Sequence, residues 1–242
     1  MEYKRLNKAI SETGYCSRRE ADALISGGKV KVNGETAELG VKVTVKDEIS
    51  VKGEIITKKI ENIYLAFNKP VGITCTTEID IKGNIINFIN YPQRIFPVGR
   101  LDKPSEGLIF MTNDGDIVNK ILRAGNNHEK EYIVSVNKKI TTQFIKKMSN
   151  GVPILDTVTK KCKIRKLDDF TFNIILTQGL NRQIRRMCDY LGYEVKTLKR
   201  VRIMNIELGN LKTGKYRHFT NNELKEIMRL VEDSSKTMEA SM

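Results

Sequence analysis

An arginine and an aspartate, two residues apart in a short loop, are the first side chains of this chain that could do chemistry. The loop lies between apolar segments and reads Gly99-Arg100-Leu101-Asp102-Lys103-Pro104-Ser105-Glu106-Gly107-Leu108. Its glycines and proline restrict the backbone, so it presents Arg100 and Asp102 from a rigid edge, where the carboxylate could take part in catalysis. In isolation, a local ion pair is the commoner explanation of an Arg-x-Asp loop.

A second group of reactive side chains is a run of arginines that follows a strand pattern and a glycine. The run lies within residues 177–187 and contains Arg182, Arg185 and Arg186. Like charges three or four residues apart on a helix repel by a few tenths of a kcal/mol unless phosphates or a carboxylate neutralise them. A solvated basic face is the alternative. Because Ile184 and Met187 anchor an adjacent face, we expect a buried partner for at least one arginine.

Two shorter motifs carry side chains that could contact a substrate. Glu129-Lys130-Glu131-Tyr132 opens an alternating strand pattern, and Asn68-Lys69-Pro70-Val71-Gly72 forms a turn after an apolar run. A lone tyrosine more often packs in a core or at its rim than takes part in catalysis, since most of its surface is apolar. The turn alone has no functional meaning, so both motifs matter only in combination with the first two.

The elements that must position these residues belong to a large region expected to span residues 63–232. Strand and helix patterns alternate in it, so both kinds of element contribute to the domain. Strands are predicted at residues 63–68, 108–111, 132–136 and 170–177, and helices at residues 141–148, 181–191 and 220–232. A polar linker is expected at residues 54–62, and a disordered tail at residues 233–242.

Residues 4–53 predict a small separate module of helix and hairpin. Ser17 and Glu20 have the spacing of a capping box at a helix start, and Asn33-Gly34 is a strong signal for a two-residue hairpin turn. Arg18 and Arg19 would lie in the first turn of that helix, where the helix dipole does not favour cations, so an external anion is a plausible partner. The alternative is a solvated helix face.

This module resembles an S4 RNA-binding domain, through Arg5-Leu6-Asn7-Lys8, residues 17–21 and residues 28–34. The resemblance implies that the arginine-bearing helix and the hairpin grip RNA phosphates. Under it, Arg18, Arg19 and Lys31 are expected to contact RNA.

The overall charge agrees with a nucleic-acid partner, although basic surfaces are also common in other proteins. The net charge is +13, and residues 160–217 contain fifteen Lys or Arg against five Asp or Glu. No long apolar run predicts a membrane span, and the first residues do not resemble a secretion signal. Four separated cysteines and two histidines make a zinc site improbable and fit a reducing cytoplasm.

Taken in chain order, the four motifs resemble the pseudouridine synthases that modify ribosomal RNA, in the branch with an N-terminal S4 domain. Gly99-Arg100-Leu101-Asp102 followed by Gly107-Leu108 matches the family's main motif. Residues 69–72, 113–115, 130–132 and 183–187 match the others, and residues 118–125 and 151–155 favour the type called F, which acts on 23S rRNA. Two positions depart from the family's usual pattern: Ser105 stands where Thr is common, and Arg182 where His is common.

The resemblance implies an α+β catalytic domain with a mixed, mostly antiparallel sheet, and a cofactor-free isomerisation of uridine to pseudouridine. Under it, Asp102 is the essential carboxylate, Arg185 pairs with it, and Tyr132 stacks on the uracil and could take part in proton transfer. Arg100 fills the gap left by the flipped base, and Lys69 supports the pocket from behind, both as substrate-binding residues. Arg182 and Arg186 are expected to contact phosphates.

The expected partner is structured RNA, above all 23S rRNA, bound by a monomer in the cytoplasm with no membrane, metal or small-molecule cofactor. Three alternatives stay open at this point. The RNA could be transfer RNA or 16S rRNA instead, or the protein could be a non-catalytic S4-type assembly factor. A basic scaffold subunit of the ribosome is the third, and the large mixed domain argues against it.

Overall fold

The computed structural model describes residues 3–56, 60–122 and 127–232. The chain forms two compact units, one comprising Met1–Asn62 with Pro92–Arg94, the other comprising Ile63–Tyr91 with Ile95–Met242. Three expectations fall partly or wholly outside the described residues: the linker at 57–59, the F-type stretch at 123–125 and the tail at 233–242.

In its described residues, the first unit contains two helices and six short strands. Its helices are α1 (Leu6–Glu12) and α2 (Arg18–Ser26). Its strands are β1 (Lys4–Arg5), β2 (Val30–Val32), β3 (Glu35–Thr36), β4 (Lys42–Val43), β5 (Ile49–Val51) and β6 (Glu54–Ile55). An antiparallel sheet has the order β3-β2-β5-β6, and β1 pairs with β4 separately. Apolar residues from both helices and from this sheet share one core.

Two local signals in this unit are confirmed. The Ser17 hydroxyl accepts from the Glu20 amide at 3.2 Å and the Glu20 carboxylate accepts from the Ser17 amide at 2.7 Å, which is the capping box of α2. Asn33-Gly34, with φ of 51° and 87°, joins β2 to β3. The expectation of a linker from residue 54 is wrong for its first two residues. Lys52-Gly53 forms a second left-handed turn, so Glu54–Ile55 returns alongside β5 as β6.

The second unit contains five helices and eleven strands in the described part of the chain. Its helices are α3 (Ile85–Ile89), α4 (Gly115–Leu122), α5 (Thr142–Asn150), α6 (Gln183–Tyr190) and α7 (Asn221–Leu230). Its strands are β7 (Tyr64–Lys69), β8 (Phe96–Pro97), β9 (Glu106–Thr112), β10 (Lys130–Val136), β11 (Pro153–Ile154), β12 (Thr157–Val158), β13 (Lys163–Lys166), β14 (Thr171–Leu176), β15 (Val195–Ile203), β16 (Ile206–Glu207) and β17 (Tyr216–His218).

One nine-stranded sheet organises this unit. Its strand order is β13-β14-β10-β15-β9-β7-β17, with β16 beside β15 and β8 beside β9. All pairings in it are antiparallel except that of β9 with β15, so the expected mixed, mostly antiparallel sheet of an α+β fold is confirmed. Along β7 and β9, successive residues alternate between two apolar clusters, so both faces of these central strands are covered.

Strand β15 has no counterpart among the sequence-based predictions. Charged residues interrupt its apolar alternation, but pairing with β10 on one side and β9 on the other satisfies its backbone. Helix α6 begins at Gln183 and not at residue 181, because Arg182 is its N-cap and has a left-handed φ of 50°. Among the helices of the described residues, none combines the length and the apolar character that crossing a membrane requires.

Candidate active site

A cavity of about 470 Å³ lies in the second unit, at the junction of β15, the start of β10, the N-terminus of α6 and the loop before β9. This volume is in the range of small-molecule sites. Its polar lining includes Arg100, Asp102, Ser105, Lys130, Tyr132, Arg182, Arg185 and Arg200. Three of the four motifs identified in the sequence therefore meet at one cavity.

The loop that carries Asp102 is fixed by three backbone hydrogen bonds. The Ser105 amide donates to the Asp102 carbonyl at 2.9 Å, which closes a tight turn over Lys103-Pro104. The Leu101 amide donates to the Cys75 sulfur at 3.4 Å, and the Gly72 amide donates to the Lys103 carbonyl at 2.8 Å. Asp102 thus has neighbours tethered on both sides, while its side chain remains 34% exposed toward the cavity.

Lys69 accounts for the fourth motif and acts behind this loop. It is fully buried and does not line the cavity. Its ammonium donates to the carbonyls of Pro70 at 2.8 Å and Ile73 at 2.9 Å, so it shapes the turn from which Gly72 contacts the Asp102 loop. Burial lowers the pKa of Lys69. The supporting position agrees with the sequence analysis, while the full burial of the ammonium argues against a direct contact of Lys69 with RNA.

Gly107 permits the single parallel contact of the sheet. It has a φ of +109°, and a Cβ at this position would lie 2.2 Å from the Arg200 carbonyl oxygen. In register, Gly107 stands opposite Arg200 where β9 runs beside β15. A side chain here would push the two strands apart, so the glycine at the end of the Asp102 loop is required by close backbone approach.

Arg185 connects α6 to the Asp102 loop. Its Nη2 donates to the Pro104 carbonyl at 3.1 Å and the Ser105 hydroxyl at 3.0 Å, and its Nη1 donates to the Val195 carbonyl at 3.3 Å. Its Nε lies 4.0 Å from Asp102 Oδ2 and is a buried donor with no hydrogen-bond partner among the described residues. The guanidinium is therefore anchored by the carboxylate's own loop and presents its remaining donor toward the carboxylate.

The surroundings of Arg185 act on its pKa in opposite directions. Burial first, and the neighbouring Arg182 second, lower the pKa of Arg185, while Asp102 acts in the opposite direction. The carboxylate thus partly compensates a cation that is only 13% exposed.

Tyr132 forms the apolar wall of the cavity. It is 9% exposed on β10, opposite Arg200 across the β10–β15 pair. The Arg200 guanidinium carbon lies 5.9 Å from the centre of the Tyr132 ring. The three residues expected to be catalytic, Asp102, Tyr132 and Arg185, are brought together at one cavity.

Two cavity residues were given no role in the sequence analysis. Arg200 is 4% exposed; its Nε donates to the Leu108 carbonyl at 2.6 Å, and its Nη2 has no partner in the described part of the chain. Lys130 is 9% exposed, and its ammonium donates to the His128 carbonyl at 3.3 Å. Burial, and secondarily Arg200, lowers the pKa of Lys130 to about 8. Lys130 could have been found from its spacing, because it shares a strand face with Tyr132.

The residues expected to contact RNA occupy three places. Arg100 and Arg182 are exposed and line the cavity. Arg186 is exposed outside it and donates to the Asn181 carbonyl at 3.1 Å and side-chain oxygen at 3.3 Å. Arg18, Arg19 and Lys31 lie in the first unit, all exposed, on α2 and β2. Among the described residues, no three His, Cys, Asp or Glu side chains are grouped so that they could hold a metal ion.

Comparison with known families matches both units. A model described as RNA pseudouridylate synthase matches residues 63–190, which is more than half of the chain, and one described as S4 domain matches residues 4–49. These matches confirm the family expected from the motifs.

Relatives agree over nearly the whole chain. Dual-specificity RNA pseudouridine synthase RluF of Escherichia coli (strain K12) is 57% identical over 96% of this chain and 80% of its own length. Ribosomal large subunit pseudouridine synthase B of Bacillus subtilis (strain 168) is 36% identical over 95% of this chain and 97% of its own length. A crystal structure of a pseudouridylate synthase, 31% identical, superposes with a TM-score of 0.68 over 92% of this chain and 99% of that chain. The chain therefore belongs to the RNA pseudouridylate synthase family, as an enzyme with an N-terminal S4 domain.

Proposed function

We propose that this enzyme converts a specific uridine of 23S ribosomal RNA to pseudouridine, without a cofactor, after flipping the nucleotide into the cavity. The observation that carries the proposal is the pairing of Asp102 with Arg185 at 4.0 Å, on the wall of a cavity that Tyr132 also lines. The 23S target is supported by the Bacillus subtilis relative, whose name assigns it to the large ribosomal subunit.

The reaction breaks the C1′–N1 bond of uridine, rotates the uracil and joins it again through C5. Asp102 acts at the sugar, either as a nucleophile at C1′ or as the acceptor of a proton, and both roles require its ionised form. Arg185 brings its charge to 4.0 Å from the carboxylate and keeps the loop in place through Pro104 and Ser105. Overall, no group enters or leaves the RNA, so the isomerisation consumes no co-reactant, and the residues present position the nucleotide for it.

The neighbouring side chains fit the handling of a flipped base. Unstacking a nucleotide costs a few kcal/mol, and an aromatic ring in the pocket returns part of it by stacking. Tyr132 lines the cavity, which supports this role. Arg100 is exposed at the same cavity, and its planar guanidinium can occupy the gap that the base leaves.

Contacts to the RNA backbone are assigned to exposed cations of both units. Arg182 and Arg186 flank the cavity on the α6 side, and Arg18, Arg19 and Lys31 form the basic surface of the S4 domain. Cations release condensed counterions from phosphates, so these contacts give affinity that falls with salt. The enzyme acts as a monomer in the cytoplasm, where ribosomal RNA is available.

A second RNA substrate is favoured by one observation. The Escherichia coli relative, at 57% identity, is named as dual-specificity. Transfer RNA or 16S rRNA would need the same chemistry and a different docking surface. A non-catalytic assembly factor is disfavoured, because binding alone gives no reason to bring Asp102, Arg185 and Tyr132 to one cavity.

Asp102→Asn tests the proposal directly. The amide keeps the shape of the side chain and cannot ionise, so pseudouridine formation in 23S rRNA transcripts should fall below detection while RNA affinity stays within about threefold. Mapping of pseudouridines after incubation, together with filter binding of the same RNA, measures both quantities. Retained pseudouridine formation contradicts the assignment, and equal loss of activity and binding indicates a structural role for this carboxylate.

Changing Arg18 and Arg19 together to Glu tests the S4-domain contacts. RNA affinity should fall, and the slope of log affinity against log salt should flatten by about two if each arginine meets one phosphate. Lys42→Glu with Lys46→Glu is the matched control, since it makes the same charge change on β4 and the turn after it. Equal effects of the two pairs would show that net charge, and not this helix, determines binding.

A further inference from the structure

Arg200 is a buried cation that the mechanism above does not use. It is 4% exposed and lines the cavity beside Tyr132. It forms no ion pair among the described residues, and its Nη2 is a buried donor without a partner there. Burying a charge and a donor in this way is costly unless another group compensates for it. No described residue gives Nη2 an acceptor, which makes a molecule bound in the cavity beside Tyr132 a candidate partner for this guanidinium.

We propose that Arg200 is a catalytic residue, whose guanidinium binds the carbonyl oxygens of the flipped uracil and stabilises the negative charge that develops on the base. The inference rests on the proposed function. It adds a group that acts on the base, whereas Asp102 and Arg185 act at the sugar.

The charges around Arg200 favour an anionic ligand. Lys130 lines the same cavity, and the pKa of this lysine is lowered partly by Arg200, which shows that the two cations are close. The single carboxylate among the cavity-lining residues of the described chain, Asp102, is the partner of Arg185. Arg200 and Lys130 are thus two further cations beside the Tyr132 ring. They favour a planar ligand that carries negative charge and can stack on this ring.

The reaction supplies such a charge. When the C1′–N1 bond breaks, its electron pair remains on the uracil and is shared by N1 and the carbonyl oxygens O2 and O4. The pair then forms the C1′–C5 bond, the proton on C5 is released, and N1 ends protonated, so atoms and electrons balance without a co-reactant. Both roles open to Asp102 pass through a base that carries this charge.

Arg200 is held rigidly enough to act in this way. The Nε hydrogen bond to the Leu108 carbonyl at 2.6 Å fixes one edge of the guanidinium. Its backbone lies between β10 and β9, and Gly107 allows β9 to approach it closely. A donor fixed before the reaction stabilises a developing charge without reorganising, which is the arrangement that accelerates a reaction most.

A purely structural role, in which Arg200 only ties β15 to β9, is the competing explanation. Single-turnover measurements on Arg200→Ala, Arg200→Lys and a charge-matched control, Lys199→Met, separate the two. Lys199 is the preceding residue and does not line the cavity. We expect the rate constant at saturating RNA to fall about 100-fold in Arg200→Ala, with RNA affinity within about threefold, and to be unchanged in Lys199→Met.

Chemical rescue provides the decisive readout. Guanidinium chloride at tens of millimolar should restore the rate of Arg200→Ala at least about tenfold, while sodium chloride at equal ionic strength should not, because only guanidinium replaces the lost donors. Arg200→Lys keeps the charge without the planar donors and should be intermediate. A rate within threefold of the parent in Arg200→Ala overturns the inference. So does a loss of rate in both Arg200 variants without rescue, accompanied by a lower melting temperature.

The same assays distinguish this inference from the proposed function. If the parent enzyme forms no pseudouridine, or if Asp102→Asn remains active, the proposed function fails. If the parent is active, Asp102→Asn is inactive and Arg200→Ala retains the parent rate, the inference about Arg200 alone fails.

Discussion

Replacing Lys130 by methionine measures how much the buried charge of this lysine lowers the free energy of unfolding. Lys130 is 9% exposed at the start of β10, and its ammonium has the His128 carbonyl as an acceptor at 3.3 Å. Burial, with a smaller contribution from Arg200, lowers the pKa of this lysine from 10.5 to about 8. At neutral pH the folded protein therefore holds a cation that would be more stable in the unfolded chain.

The size of the effect follows from the lowered pKa. A change from 10.5 to about 8 corresponds to about 3 kcal/mol, at about 1.4 kcal/mol for each pKa unit. Methionine has similar length and no charge, but it leaves the His128 carbonyl without this donor, which removes about 1 kcal/mol. Lys130→Met should therefore raise the free energy of unfolding by about 2 kcal/mol at pH 7.

The sign of the pH dependence is fixed by the direction of the pKa change. The folded pKa lies below the unfolded one, so the penalty is complete below about pH 8 and disappears as pH rises toward the unfolded value. The stability advantage of Lys130→Met should accordingly shrink between about pH 7 and about pH 9.5. Comparing variants at each pH cancels the titration of the other groups.

Urea unfolding of the parent, Lys130→Met and the control Lys138→Met, at both pH values, makes the measurement. Lys138 is an exposed lysine just after β10, so its replacement should change stability by less than about 0.5 kcal/mol at either pH. A Lys130→Met variant less stable than the parent at pH 7, or an advantage that does not shrink with pH, would refute the conclusion that burial of this cation strains the fold.

Two further variants test how the Asp102 loop is held. Ser105→Ala removes an acceptor of Arg185, so it should lower the free energy of unfolding by about 1.5 kcal/mol and the rate of pseudouridine formation about tenfold. Ser105→Thr keeps the hydroxyl and should behave like the parent. Equal rates in all three proteins would show that Ser105 does not help to position Arg185. Gly107→Ala should destabilise the protein by about 3 kcal/mol or more in urea unfolding, since its Cβ would lie 2.2 Å from the Arg200 carbonyl oxygen. Gly179→Ala is the control and should be nearly neutral, because open space surrounds that position. A stable Gly107→Ala protein would contradict the close approach of β9 and β15.

Sequence alone predicted the features that depend on neighbouring residues. The capping box of Ser17 and Glu20, the Asn33-Gly34 hairpin and the rigid loop around Asp102 are each specified by a few adjacent residues, so their patterns are visible without coordinates. The resemblance to a family predicted that Asp102, Tyr132 and Arg185 lie close together. These residues are far apart in the chain, so no local pattern could have predicted their proximity.

The remaining features depend on contacts between distant segments. Strand β15 pairs with β10 on one side and with β9 on the other, so it lies in the middle of the sheet. Its charged residues gave no indication of this position. The burial of Arg200 follows from that position, and the need for glycine at residue 107 follows from the approach of a strand more than ninety residues later. The contacts of Lys69 could not be predicted for the same reason. Its acceptors are carbonyl groups that point toward it only in the folded turn.

Under the proposal made for Arg200, the two buried donors without a hydrogen-bond partner among the described cavity residues act on different parts of the substrate. Arg185 Nε is directed to the carboxylate of Asp102, and Arg200 Nη2 has no acceptor among the described residues of the same cavity. In an isomerisation without group transfer, negative charge passes between the carboxylate and the departing base and must be held at both ends, or the base is lost to solvent. In the proposed mechanism, Arg185 stabilises the charge at the carboxylate and Arg200 stabilises the charge on the uracil, so loss of either guanidinium should slow the chemical step more than RNA binding.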